Sequence, residues 1–128
     1  MEHVLNVLFA KFLLVAVELK MHVLANDIIE ERIEKVIDAW DFDRMKKEHP
    51  ETCVCYVQDK KCHDTENLNC LFCYCPNYDR TVKEGKCKIN SPNGKYIDNH
   101  EGKILDCSDC DFPHKKENAI KFLENLFK

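Results

Sequence analysis

The chain has 128 residues, of which 45% are hydrophobic and 33% are charged, and its formal net charge is −4. This length holds one domain, or one small domain with an appendage, and the composition excludes an intrinsically disordered chain. With only three glycines, and neither G-x-x-x-x-G-K nor G-x-G-x-x-G in the sequence, the common phosphate-binding loops are also excluded.

The first predicted element is a helix from about Val4 to Leu24, which is rich in Leu, Val, Ala and Phe and contains no Gly or Pro. It is apolar over most of its surface, so something must cover it. Two interpretations stay open: burial within the chain, or an interface through residues 4–24 with a second copy or with a helical protein partner. Because Glu2 leads this stretch and Lys11 interrupts it, we expect no signal peptide, no membrane span and a cytoplasmic location.

A second helix is predicted to begin at Asn26 or Asp27, which can cap its first turn. Its apolar residues follow one stripe, formed by Ile29, Ile33, Val36, Ile37 and Trp40. Pro50 ends the segment. The sequence therefore predicts an N-terminal helical hairpin, which we take as a helical arm over residues 1–50.

All nine cysteines follow this arm, between Cys53 and Cys110, so we predict a separate cysteine-rich domain over residues 51–128. Thiols stay reduced in the cytoplasm, where dense cysteines indicate metal binding rather than disulfides. The odd number of cysteines also fits a closed set of disulfides poorly. Since large apolar residues are sparse in this half before Lys115, we expect a bound metal to stabilise its fold.

Two knuckle sequences carry the strongest metal signal. Cys70, Cys73 and Cys75 form a C-x2-C-x-C pattern, and Cys107 and Cys110 form a C-x2-C pair. A C-x2-C segment turns back on itself, so that both thiolates reach one ion while backbone N–H groups point at the sulfurs. Two such segments in one short domain are stronger evidence for a metal site than either alone.

Further candidate ligands lie on both sides of the first knuckle. Cys87 stands alone between the knuckles and is well placed to complete a set. His114 follows the second knuckle, as either a fourth ligand or a hydrogen-bond donor to a ligating sulfur. A third group precedes the knuckles and comprises Cys53, Cys55, Cys62 and His63. Because one ion seldom takes two neighbouring residues, ligation by His63 beside Cys62 is disfavoured.

Turn signals between the knuckles predict a short β-hairpin. The turn candidates are Pro92-Asn93-Gly94 and Asp98 to Gly102, and the strands are expected near Lys88–Ile89, Lys95–Ile97 and Lys103–Leu105. After Pro113 a final helix is predicted, with Ile120, Leu123 and Phe127 on one face. The predicted fold class is α+β: an N-terminal helical hairpin, a small cysteine-rich metal-knuckle module with a short β-hairpin, and a C-terminal helix.

Nine thiols and two histidines exceed one tetrahedral site and suffice for two. Zinc in closed structural sites is the preferred cofactor, and an iron–sulfur cluster is the alternative, because cysteine ligation suits both. The favoured function is a small metal-binding protein with a binding or assembly role. The alternatives are a thiol or sulfur-transfer enzyme, for which no catalytic constellation is recognisable, and a nucleic-acid-binding zinc module, which the acidic charge disfavours.

Four features of the cysteine-rich half stand out together: NCLFCYCPNY at 69–78, the lone Cys87, DCSDC at 106–110 and Pro113-His114. They resemble the cysteine-rich small domain, a family described as a zinc-finger-like metal-binding module. The resemblance covers about residues 53–127, and Cys55 and Cys62 with His63 are similar to the opening element of the family. It implies about two metal ions, and the ligands it implies are Cys55, Cys62, Cys70, Cys73, Cys75, Cys87, Cys107 and Cys110. We add His114 to this set, whereas Cys53 has no counterpart in the family pattern.

Overall fold

The computed structural model describes residues 2–127, with side chains from Val4 to Phe127. The chain divides into two compact units, one up to Glu34 and one from Lys35 onward. Its helices are α1 Glu2–Ala39, α2 Phe42–Glu48, α3 Val54–Val57 and α4 Lys116–Phe127, with a 3₁₀ turn at Phe112–His114. Its strands are β1 Tyr78–Asp79, β2 Lys86–Cys87, β3 Lys95–Asn99 and β4 Gly102–Asp106. The predicted α+β class is confirmed.

The helical arm differs from the predicted hairpin in one respect. Helix α1 runs without a break through residues 26–27, where the sequence predicts a new helix start. No Gly or Pro interrupts this stretch, and the residues on both sides favour helix, so the backbone hydrogen bonds continue and the capping side chains are not needed. A new helix, α2, begins only at Phe42, where the Asp41 side chain accepts a hydrogen bond from the backbone N–H of Arg44.

In the first unit, α1 carries a long stretch of exposed apolar side chains. Every side chain from Val4 to Leu24 is exposed, and Phe12 reaches 69% of its full accessibility. Such a surface is unusual for a water-exposed helix, which normally has one polar face. Within residues 2–127, no helix has the length and apolarity that crossing a membrane requires.

The second unit buries apolar side chains at several places, and three of them form a small apolar core around the first knuckle: Phe42, Tyr56 and Leu68. The rings of Phe42 and Tyr56 meet edge to face, with their centroids 5.2 Å apart. Met45 and three of the cysteines pack against this cluster, so thiols take the place of larger hydrophobic side chains. A core of this size contributes little stability by itself.

Asn69 fastens the first knuckle to the last turn of α1. Its side chain is 2% exposed, and its amide donates a hydrogen bond of 2.8 Å to the carbonyl of Ile37. Its side-chain oxygen accepts from the backbone N–H of Leu71 at 3.1 Å. Next to it, the N–H of Cys70 donates to the carbonyl of Trp40 at 2.8 Å. The knuckle and the end of α1 therefore hold each other in place.

Two short antiparallel hairpins carry the other cysteines. The pairing of β1 with β2 sets Tyr78 opposite Cys87, and the pairing of β3 with β4 ends at Asn99 opposite Gly102. The β3–β4 hairpin confirms the prediction of a short β-hairpin, and its turn is the predicted one between Asp98 and Gly102. The other candidate, at residues 92–93, is a turn that precedes β3. The strand expected near residues 88–89 lies two residues earlier, where it pairs with β1.

The C-terminal helix confirms the prediction that a helix follows Pro113. Ala119 and Leu123 are buried on α4, whereas Phe127 is 61% exposed, so the predicted apolar face turns away from the core at its last residue. Phe122 of the same helix lies edge to face with Phe72, at 5.1 Å between ring centroids. This contact connects α4 to the first knuckle.

Candidate metal centre

The nine cysteines are all free thiols of the second unit, and they lie in two groups. We call Cys75, Cys87, Cys107 and Cys110 the hairpin thiols, and Cys53, Cys55, Cys62, Cys70 and Cys73 the core thiols. The boundary falls inside the first knuckle, between Cys73 and Cys75. Neighbouring elements rather than neighbouring residues therefore decide which thiols meet.

The hairpin thiols line one cavity of about 390 Å³. Cys75 precedes β1, Cys87 lies on β2, and the second knuckle with Cys107 and Cys110 follows β4. Burial raises the pKa of the Cys75 thiol, and the nearby charges of Cys110 and Cys87 raise it further. Burial likewise raises the pKa of Cys107, followed by the charges of Cys110 and Cys87. These mutual effects agree with the position of the four thiols around the same cavity.

Hydrogen-bond donors surround the hairpin thiols. The backbone N–H groups of Asn77 and Tyr78 point at the sulfur of Cys75 and oppose the rise of its pKa. The N–H of Ser91 donates to the sulfur of Cys87 at 3.4 Å, and its hydroxyl lies 3.4 Å from the sulfur of Cys110. Donors of this kind stabilise thiolates and fix their orientation, as they do around metal-bound cysteines.

The core thiols lie beside the small apolar core of the second unit. Cys53, Cys55 and Cys70 pack against it, and the hydroxyl of Tyr56 donates a hydrogen bond to the sulfur of Cys70. Burial raises the pKa of Cys62 to about 11, and the charges of Cys55 and Cys70 contribute to this rise. The Cys62 thiol is therefore protonated near neutral pH until a cation replaces its proton.

Two histidines complete the core group. The sulfur of Cys62 and one ring nitrogen each of His63 and His114 lie within 4.8 Å of one another. Among the described residues, 2–127, these three form the group of potential metal donors that meets this distance. The two rings are 4.4 Å apart between centroids. A cysteine and two imidazoles at this distance can hold one metal ion.

The orientation of His114 follows from Asn69. The N–H of Asn69 donates to the carbonyl of His114 at 2.8 Å, and Nδ1 of His114 lies 3.1 Å from the carbonyl of Asn69. With its Nδ1 proton directed at that carbonyl, the ring presents the Nε2 lone pair to a metal, as ligating histidines do. Burial lowers the pKa of His114, so the ring is neutral at pH 7 and available as a ligand.

The structure distributes the sequence-predicted ligands unevenly. His114, which follows the second knuckle in sequence, lines the cavity of the hairpin thiols and also has a ring nitrogen near Cys62 and His63. The disfavoured His63 and the unassigned Cys53 both lie in the core group. For His63 the sequence offers only its position next to Cys62, and the contact with His114 depends on a pairing across some fifty residues. Ligation by the individual residues stays a prediction.

Comparison with known proteins gives one match. A family profile described as the cysteine-rich small domain, zinc-finger-like, covers residues 44–128 of the chain. No curated protein matches the chain, and no solved structure does.

Proposed function

Since the chain belongs to the cysteine-rich small domain family, we propose that it is a zinc-binding protein whose metal ions are structural and whose role is assembly. The observation that carries the proposal is the convergence of the Cys62 sulfur with ring nitrogens of His63 and of the buried, oriented His114, all within 4.8 Å of one another. One ion belongs to the hairpin thiols. The other belongs to the core group, with four ligands drawn from Cys55, Cys62, Cys70, Cys73 and His114.

Zinc is favoured over iron by the donors of the core group. Imidazole and thiolate together are the usual ligands of structural zinc, whereas most iron–sulfur clusters take cysteine alone. A structural role is favoured because the apolar cluster of Phe42, Tyr56 and Leu68 is small, and thiols pack against it in place of larger hydrophobic side chains. A bound ion would then supply folding free energy that hydrophobic burial does not.

The metal is tested on protein purified without oxygen, by elemental analysis and mass spectrometry. We expect about two or more zinc ions per chain, and no visible absorption of an iron–sulfur cluster. Cys73→Ser and Cys75→Ser should each affect a different ion, although only one residue separates them. Iron in place of zinc would overturn the choice of metal, and less than one ion per chain with intact disulfides would overturn the proposal itself.

The assembly role rests on the exposed apolar surface of α1, and the partner we propose is a second copy of the chain. Lys11 and Glu18 lie seven residues apart on one face of the helix, at nearly equal distances from the centre of the exposed stretch 4–24. In an antiparallel two-fold pair, Lys11 of each copy therefore lies opposite Glu18 of the other. The apolar residues beside them alternate in steps of four and three, as a helix-pairing seam requires: Leu8, Phe12, Val15 and Leu19.

Analytical ultracentrifugation at micromolar concentration tests this pairing. We expect a dimer that Leu8→Gln with Phe12→Gln dissociates, because each buried apolar side chain contributes about 1.5–3 kcal/mol. Lys11→Glu should weaken the dimer by about 2- to 30-fold, since it removes two symmetry-related exposed ion pairs, each worth about 0.2–1 kcal/mol. Adding Glu18→Lys should restore it. A monomeric wild-type chain would overturn the assembly role, and a double variant no tighter than the single one would overturn the antiparallel arrangement.

A further inference from the structure

The core group has one thiol more than a single ion can bind. It holds five cysteines, and a tetrahedral zinc site takes four ligands. Burial raises the pKa of Cys55, Cys62 and Cys70, and the charge of Cys73 adds to each rise, which agrees with a place for all four around one ion. Cys53 is the fifth thiol, and it has no counterpart in the family pattern.

Cys53 lies in contact with one of these four thiols. A side-chain hydrogen bond joins it to Cys55, and both side chains pack against the small apolar core of the second unit. Cys53 is half-buried and lines a cavity of about 620 Å³. Because the wall of this cavity includes the exposed residues Glu48 and His49, a small solute can reach the thiol from solvent.

The backbone holds Cys53 and Cys55 at the separation of a disulfide. Cys53 immediately precedes α3, and Val54 between the two cysteines is the first residue of that helix. A helical residue sets the Cα atoms on its two sides about 5.4 Å apart. Disulfides form between Cα atoms about 4.4–6.8 Å apart. A bond between the two sulfurs therefore requires side-chain rotation and no change of the backbone.

We propose that Cys53 and Cys55 form a redox switch at the core ion, in which hydrogen peroxide oxidises the two thiols to a disulfide. The Cys55 thiolate attacks one peroxide oxygen, which gives Cys55 sulfenic acid and hydroxide, and the hydroxide takes up a proton to become water. The Cys53 sulfur then bonds to the Cys55 sulfur and displaces its hydroxyl group, which leaves with the Cys53 proton as a second water. Two electrons pass from the two sulfurs to the peroxide.

The disulfide removes one metal donor from the core group, because Cys55 is then bonded to Cys53 and no longer a thiolate. The hairpin thiols keep all of theirs. A thiol reductant returns both cysteines to thiols, so the change is reversible. The inference rests on the proposed function, since it requires zinc in the core group with Cys55 among its four ligands. It gives a role to the one cysteine that the family pattern does not include.

The test is peroxide treatment of the zinc-loaded full chain, followed by zinc counting, alkylation of the free thiols and mass spectrometry of a tryptic digest. Trypsin cuts after Lys47 and Lys60, and the peptide of residues 48–60 contains Cys53 and Cys55 and no other cysteine. We expect this peptide to lose two hydrogen atoms as its disulfide forms. Zinc content should fall by about one ion per chain, and a thiol reductant with added zinc should restore it.

Two variants separate the role of Cys53 from general oxidation. Cys53→Ala should hold as much zinc as the unmodified chain before treatment. After peroxide its Cys55 has no neighbouring thiol to resolve the sulfenic acid and should proceed to sulfinic acid, so the reductant should not restore the lost ion. Val57→Ala changes a side chain of the same short helix that is 70% exposed, and this matched control should behave as the unmodified chain.

The outcomes separate this inference from the function beneath it. A zinc-loaded chain without the disulfide in peptide 48–60 after peroxide would overturn the switch and leave the zinc-binding function standing. The switch would also be wrong if Cys53→Ala regained its ion as fully as the unmodified chain, or if it lacked an ion before treatment, since Cys53 would then be a ligand. Less than one ion in the untreated chain would overturn both proposals. If Cys53→Ala does not fold, the peptide mass in the unmodified chain decides the question.

Discussion

Replacing Asn69 with alanine should weaken metal binding, although Asn69 is not a ligand. Its buried amide donates to the Ile37 carbonyl at 2.8 Å, and its side-chain oxygen accepts from the Leu71 N–H at 3.1 Å. Alanine leaves the Leu71 N–H without this acceptor, and leaves the Ile37 carbonyl with the longer bond from the Trp40 N–H at 3.2 Å. An unsatisfied buried donor costs about 1–3 kcal/mol and the second lost bond about 0.5–1.5 kcal/mol, so we expect a loss of about 2–4 kcal/mol.

This loss should reach the metal because Asn69 also positions two donors. Its backbone makes both hydrogen bonds that orient His114, and the next residue is Cys70. If the ions bind only the folded module, a less stable fold lowers their apparent affinity by the same free energy. At 1.4 kcal/mol for each factor of ten, zinc affinity should fall by about 30- to 700-fold.

Urea denaturation of the zinc-loaded protein measures the stability, and competition with a chelator of known affinity measures the binding. Asn125→Ala is the matched control, since Asn125 is exposed on α4 and the change should shift stability by about 0.5 kcal/mol or less. If Asn69→Ala resembled this control in both measurements, the side-chain bonds of Asn69 would not hold the knuckle, and the reasoning would be refuted.

Three further predictions concern backbone strain, pH and metal removal. Gly85→Ala should lower the melting temperature strongly, because Gly85 has a φ of +77° and a Cβ there would lie 2.3 Å from the Tyr78 hydroxyl. Gly102→Ala should lower the melting temperature less, because Gly102 has a φ of +123° but open space around it. Zinc affinity should fall as pH falls, because zinc must displace the proton of Cys62, whose pKa is about 11 without metal. His114 adds to this loss below its ordinary pKa of 6.5, because burial disfavours its charged form in the fold. Zinc competition across about pH 6–8 measures the slope of affinity against pH, and a flat profile would contradict the prediction. Chelation at neutral pH should unfold the cysteine-rich half and leave a helical signal from α1; unchanged circular dichroism and proteolysis after full metal removal would show that the metal is not structural.

The features that sequence predicted well are those with local causes. Pro113 fixes the first turn before α4, and the segment from Asp98 to Gly102 closes a hairpin because Gly102 adopts a φ of +123° that other residues avoid. The two knuckles are likewise encoded by short spacings between cysteines. Each of these signals lies within a few residues of the structure it specifies, so no knowledge of tertiary packing is needed.

The features that sequence missed depend on contacts between distant residues. Cys73 and Cys75 belong to different thiol groups because Cys75 leads into β1, which pairs with β2, while Cys73 faces the core group. His63 meets His114 only because Asn69 binds the backbone and ring of His114. A pattern of cysteine spacings carries no information on either pairing.

The predicted hairpin of the arm is wrong for the opposite reason, because the residues around a local capping signal override it. Asp27 with Glu30 has the spacing of a capping box, which marks the N-terminus of a helix. Such a motif starts a new helix only where the preceding residues are not themselves helical. Here the residues before Asp27 are good helix formers with no Gly or Pro among them. Continuing α1 satisfies every backbone group, so the helix runs on to Ala39.

The residues that end α1 connect the two parts of the proposed function. Asn69 binds the Ile37 carbonyl, the Cys70 N–H binds the Trp40 carbonyl at 2.8 Å, and the Phe42 N–H binds the Leu68 carbonyl at 2.9 Å. All three contacts come from the segment that opens the first knuckle. An ion that orders this knuckle therefore also orders the last turn of α1, and metal loss should loosen it. Because two of these bonds join backbone atoms, the coupling also requires that the knuckle keep its conformation, which is the property that a structural ion supplies.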